Sequence, residues 1–63
     1  MAKRYFYKQI EVVPYWNGYR PYYIHEDGTR ELLAVGTDTR AKAYEIGRQE
    51  VDAMNRRANN ENN

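Results

Sequence analysis

From Tyr5 to Trp16 the chain reads YFYKQIEVVPYW. Aromatic and β-branched residues dominate it, which predicts an extended strand. Asn17-Gly18 follows, the dipeptide that best tolerates the two positive φ angles of a tight hairpin turn. Tyr19 to His25 is then the return strand, Asp27-Gly28 a second turn of the same kind, and Arg30 to Val35 a third strand ended by Gly36. The period changes after that. Ala43, Ile46, Gly47, Glu50, Val51 and Met54 recur at helical spacing, all but Glu50 small or apolar, and predict a helix over Arg40 to Met54 with one buried stripe. Thr37, Asp38 and Thr39 supply oxygens that can cap its first turn. Arg48 with Asp52, and Asp52 with Arg56, are solvent-side pairs four apart. The expected fold is α+β: a three-stranded antiparallel meander with one C-terminal helix on one face (β-β-β-α).

Two-residue turns place Trp16 opposite Tyr19 and Tyr23 opposite Leu32. One face then carries Ile10, Val12, Pro14, Trp16, Tyr19, Pro21, Tyr23, Leu32 and Ala34, the natural floor for the helix stripe. The other holds Tyr5, Tyr7, Gln9, Glu11, Val13 and Tyr15, with Arg20, Tyr22, Ile24, Glu31, Leu33 and Val35. One helix cannot cover both faces. Four Tyr with four aliphatic residues form a larger apolar patch than monomers ordinarily tolerate, in residue types that interfaces favour. The structural alternative is that tyrosines sit on a solvated sheet and stabilise it through cross-strand pairs.

Sixty-three residues make one small domain, expected over 1–57, with ANNENN at 58–63 as a disordered tail. So small a chain buries only about 60% of its unfolded surface. Its core is therefore expected to need reinforcement from disulfides, metal or a second copy. There is no Cys and a single His, which removes disulfides and thiolate or imidazole clusters and fits a cytoplasmic protein. No apolar run reaches the length of a membrane span. The net charge is +1, unevenly spread: residues 1–24 carry Lys3, Arg4, Lys8 and Arg20 against Glu11 alone, so the basic excess lies on the aromatic half.

Catalytic chemistry is sparse. The chain has no Ser or Cys nucleophile, and Thr29, Thr37 and Thr39 fall in turns or caps. Gly18, Gly28, Gly36 and Gly47 are isolated, with no phosphate-binding loop. His25 and Glu26, adjacent on a strand end, point to opposite faces. No cofactor and no metal site is expected, and the chain is expected not to be an enzyme.

IEVVPYWNGYRPYY followed by DTRAKAYEIGRQEV resembles a family of small bacterial and phage domains of unknown function. Their pattern runs V-x-P, then Gly-Trp after a turn, then Asp-Thr-x-x-x-Ala at the helix start. Val12 and Pro14 match the first element, Asp38, Thr39 and Ala43 the last, and Tyr19 stands where Trp is usual. The resemblance spans residues 10–54 and implies a three-stranded sheet with one helix. GYRPYYIHEDGTRELLAVGTDTRAKA is also similar to the arm-site DNA-binding domains of tyrosine recombinases. Those lay such a sheet in the major groove, with basic and polar side chains toward the bases. Here Glu31, Leu33 and Val35 occupy the outward positions of the third strand, a departure from that chemistry.

These features point to a small module that acts by binding another protein, in the manner of phage or mobile-element inhibitors of host defence complexes such as CRISPR effectors. The expected partner surface is Tyr5, Tyr7, Tyr15, Arg20, Tyr22 and Leu33, which two copies could also share as a homodimer. The alternative is a nucleic-acid binder using Lys3, Arg4, Lys8 and Arg20 with the tyrosine rings as stacking platforms.

Overall fold

The structure, a computed structural model, describes residues 4–61, with side chains described through residue 59. A single 3-10 turn (Tyr7–Gln9) leads into β1 (Ile10–Tyr15), β2 (Gly18–Ile24), β3 (Arg30–Leu32) and α1 (Arg40–Glu61). The strands form one antiparallel sheet in the order β1-β2-β3, and α1 lies across β1 and β2. This is the expected β-β-β-α arrangement.

The first turn falls one residue earlier than Asn17-Gly18 predicts. Tyr15 pairs with Gly18, Trp16 and Asn17 make the turn, and Trp16 takes the left-handed conformation at φ 55. Gly18 is needed for another purpose: a Cβ there would collide with the Thr37 carbonyl oxygen of the chain that follows β3. Val12 therefore faces Pro21 and not Tyr23, and Pro14 faces Tyr19. A two-residue slip leaves every side chain on its own face, so Ile10, Val12 and Pro14 still share a face with Tyr19, Pro21 and Tyr23. Trp16 does not join them. It stands 88% exposed at the hairpin tip.

The second loop has three residues, Glu26-Asp27-Gly28, closed by the His25 amide donating to Thr29 O at 2.9 Å, with Gly28 at φ 90. Asp27 Oδ1 accepts from the Thr29 amide at 3.0 Å and its hydroxyl at 2.7 Å. The extra loop residue pairs Tyr22 with Leu32 and Tyr23 with Glu31, a slip of one, which exchanges the faces of the third strand. Leu33, expected on the open face, is 8% exposed in the core, and Leu32, expected beneath the helix, is 43% exposed.

β3 ends at Leu32, short of the predicted Val35, and Pro21 explains why. Tyr19 exchanges both backbone bonds with Thr37, at 2.8 and 2.9 Å, and the Pro21 carbonyl accepts from the Leu33 amide at 2.9 Å. Both residues thus turn their backbones toward the third segment, but Pro21 has no amide to return a second bond. Between Leu33 and Thr37 three residues stand opposite the single Arg20 of β2, and Ala34-Val35-Gly36 arc outward as a bulge. Gly36 bends it at φ 122.

Backbone direction alternates along a strand. With Tyr19 and Pro21 facing the third segment, Arg20 and Tyr22 face β1, and Ile10, Val12 and Pro14 offer their backbones to the outer edge of the sheet. That edge is blunted. The Ile10 amide bonds Tyr7 O, the Val12 carbonyl accepts from Arg40 Nη1 at 3.4 Å, and Pro14 has no amide.

Thr39 caps α1: its Oγ1 accepts from the Lys42 amide at 3.1 Å, a cap of the expected kind. Ala43, Gly47, Val51 and Met54 are buried along the predicted stripe, with Ile46 and Glu50 half-buried at its margin. Gly47 lets the helix settle onto the sheet: a Cβ there would lie 3.1 Å from Pro21 Cβ and 3.2 Å from Ile10 Cγ2. Tyr23, Leu33, Val51 and Met54 form the core, flanked by Tyr5 and Ile10. The helix runs past its predicted end to Glu61, since no Gly or Pro follows Gly47. The expected tail at 58–63 is accordingly helical through Glu61, and 62–63 lie outside the described residues.

Leu33→Ala should destabilise the fold by about 2–5 kcal/mol, as truncation of a buried Leu does. Leu32→Ala should cost less than about 1 kcal/mol. Urea melts of the two variants check this, and equal losses would mean that the register of β3 is wrong.

Candidate functional site

The sheet face away from α1 is built in rows across the strands. Glu11, Tyr22 and Leu32 form one row, Val13 with Arg20 a second, and Ile24 with Arg30 a third. Among the described residues no helix or strand lies over this face. Arg30 Nη2 reaches Glu11 Oε1 at 3.5 Å. At the hairpin end the Arg20 guanidinium carbon stands 3.6 Å from the Tyr15 ring centroid, and the Trp16 indole meets Tyr15 edge-on at 6.1 Å. The Val35 side chain, thrown outward by the bulge, is 84% exposed. Tyr15, Arg20 and Val35 line one shallow depression beside Gly36. Arg20 Nε is closed off from solvent with no hydrogen-bond partner among the described residues.

Of the residues expected to form the partner surface, Tyr15, Arg20 and Tyr22 share this face. Tyr5, Tyr7 and Leu33 do not. Tyr5 and Tyr7 were placed by strand alternation, but the chain before Ile10 is a loop and a 3-10 turn, where that alternation stops. This segment folds back toward the helix. The Tyr5 amide donates to Asn55 Oδ1 at 2.8 Å, and Asn55 Nδ2 donates to Tyr5 O at 3.2 Å. The Tyr5 ring stands edge-on to Tyr23 at 5.4 Å. The Tyr7 hydroxyl donates to Asp52 while Arg48 lies 4.9 Å over its ring. That bond to a carboxylate is the main reason the Tyr7 phenol titrates above its ordinary range. Trp16 and Leu32 are surface residues that the sequence places beneath the helix, and Glu31, expected on the open face, pairs with Tyr23 on the other. Nothing in the order of residues betrays Trp16 as a turn residue, since the constraint on Gly18 comes from Thr37, far along the chain.

The alternative set is dispersed. Lys3 lies outside the described residues. Arg4 and Lys8 line an open groove of about 700 Å3 with Tyr5, Phe6 and His25 beside the Glu26–Gly28 loop, and Lys8 Nζ is 5.8 Å from the Phe6 ring centroid. Arg20 lies toward the other end of β2. The groove also takes in Glu26 and Asp27, whose negative charge offsets its cations. His25 Nε2 donates to Glu31 Oε1 at 2.9 Å, and no group of three or more His, Cys, Asp or Glu among the described residues is placed to hold a metal ion. No described helix is long and apolar enough to cross a membrane.

Comparison with protein-family models, curated proteins and solved structures finds no match to this chain.

The stacked pair can be weighed by a double-mutant cycle. Tyr15→Leu with Arg20→Met should show a coupling of about 0.5–1 kcal/mol in thermal or urea melts, and no coupling would mean that the stack does not persist in solution.

The Asp27 carboxyl is held below its ordinary range, first by the Thr29 amide and then by the Thr29 hydroxyl. Its stabilisation is therefore present above the unfolded value of about 3.9 and is lost as pH falls through the lower folded value. The Thr29 amide resonance should titrate with a midpoint below about 3.9 in an NMR pH series. A midpoint at or above it would mean that the loop is not closed by Asp27.

Proposed function

We propose that this chain is a small non-catalytic module that binds another protein through the sheet face away from α1. The observation that carries this is that Val13, Tyr15, Tyr22, Ile24 and Leu32 share one face with Arg20 and have no covering element among the described residues. Large rings with polar ends, aliphatic side chains and an Arg are the composition of interface centres, where Trp, Tyr and Arg contribute most of the affinity. The blunted β1 edge supports docking against the face over pairing along a new strand. Occupying a surface of a larger complex is how such a module would act, and inhibition is the simplest result. The nucleic-acid alternative has less support, because Arg4 and Lys8 lie apart from Arg20 and no continuous row of cations among the described residues tracks a backbone.

The test compares immobilised wild-type chain with Tyr22→Asp, Leu32→Asp and the helix control Arg56→Glu/Arg57→Glu. A protein retained from host extract by the wild type and the control should bind both face variants about thirtyfold or more weakly, the worth of one interface hot spot. Circular dichroism should be unchanged throughout. Loss of binding in the control alone would move the surface to the helix. A retained species that is nucleic acid, released steeply by salt, would favour the alternative.

A further inference from the structure

We propose that the hairpin-tip end of this face anchors a carboxylate of an acidic, partly apolar segment of the partner protein. The inference rests on the sheet-face reading and names what that face receives. Arg20 is fixed on two sides. Its guanidinium stacks on Tyr15 at 3.6 Å, and its stem runs along the Gly36 backbone, where a Cβ would approach Arg20 Cγ to 3.3 Å. A planar fork already held in place loses little freedom on binding.

That fork is unmet. Arg30, Lys42 and Arg48 each have a carboxylate within 3.6 Å. Arg20 has none among the described residues, and no acceptor there takes any of its N–H groups. A guanidinium in this condition is matched by the two oxygens of a carboxylate. Its flanks say what should accompany the acid. Trp16 at 88% and Val35 at 84% exposure border the Arg20–Tyr15 stack and offer apolar contact to a neighbouring side chain. Charge separates this occupant from a nucleic-acid strand. Among the described residues Arg20 is the one cation lining the depression, too few to track a run of phosphates, whereas a single carboxylate beside an aromatic or aliphatic residue fits.

Selection of random short peptides on the immobilised full chain tests this. Peptides recovered on the wild type should share an Asp or Glu next to an aromatic or aliphatic residue. A synthesised one should bind about tenfold or more weakly to Arg20→Gln, and equally so when its acid is replaced by the amide, each change removing a charge-assisted pair. The amide peptide makes the test independent of whether Arg20→Gln folds. Peptides without an acid, or indifferent to Arg20→Gln but lost on Tyr22→Asp, would overturn the carboxylate anchor and leave the sheet-face reading standing. Peptides indifferent to both substitutions would overturn both, and no recovery on the wild type would overturn the anchor. An oligothymidylate that shifts the Arg20 Nε–Hε resonance more than the acidic peptide does would overturn it in favour of nucleic acid.

Discussion

The structure turns on one missing hydrogen-bond donor. Pro21 sits in the central strand, fully buried, a place where proline ordinarily breaks a ladder. Here its imino nitrogen faces the third segment, so the ladder to β1 remains whole and the ladder to β3 gives way. The bulge at Ala34–Gly36 follows from that, and with it the outward Val35 and the shallow depression that Arg20 lines. On the other face the same ring forms the floor on which Gly47 rests. Proline without a donor and glycine without a side chain let helix and sheet approach closely at the point where a 63-residue chain has least material to fill a gap.

The rings divide by neighbour. Tyr23 is core, and its hydroxyl accepts from the Phe6 amide at 3.0 Å, joining Tyr5 and Asn55 in holding the leading segment to the helix. Tyr7, Tyr15 and Tyr19 each carry a guanidinium over the ring, from Arg48, Arg20 and Arg40 respectively. Such contacts are worth about 0.5–1 kcal/mol each at exposed sites. Two of these arginines have further partners on the chain, since Arg48 pairs with Glu45 and Arg40 with the Val12 carbonyl. Arg20 alone of the three is stacked without one among the described residues.

The element order was legible because Asn17-Gly18 and Asp27-Gly28 punctuate a chain whose period changes only once. The helix stripe was legible residue by residue. The faces of β1 and β2 survived an incorrect register because the slip was even, whereas one additional residue in the Glu26–Gly28 loop reversed Leu32 and Leu33. Turn length is chosen by φ angles and by Asp27 bonding Thr29, and a dipeptide alone does not reveal it. Tyr5 and Tyr7 were misplaced because the pattern of β1 was carried backward through a 3-10 turn, and nothing in the order of residues shows that Tyr5 bonds Asn55 or Tyr7 bonds Asp52 on the helix. Within the candidate surface Tyr15, Arg20 and Tyr22 could be read from alternation. The Arg20 socket could not, because it depends on a bulge whose origin is a proline on the neighbouring strand.

The obstructed rim of β1 limits how copies of this chain can associate. Fibre growth needs each added strand to present a fresh ladder to the next, and polymerisation by strand addition stalls where Pro14 lacks a donor and Arg40 occupies the Val12 carbonyl. The opposite rim is only as long as Arg30–Leu32. Two sheets meeting face to face would instead consume the same patch on both subunits, leaving nothing to recruit a third. A sheet face this rich in tyrosine is thereby bordered by rims that offer little free backbone for strand addition.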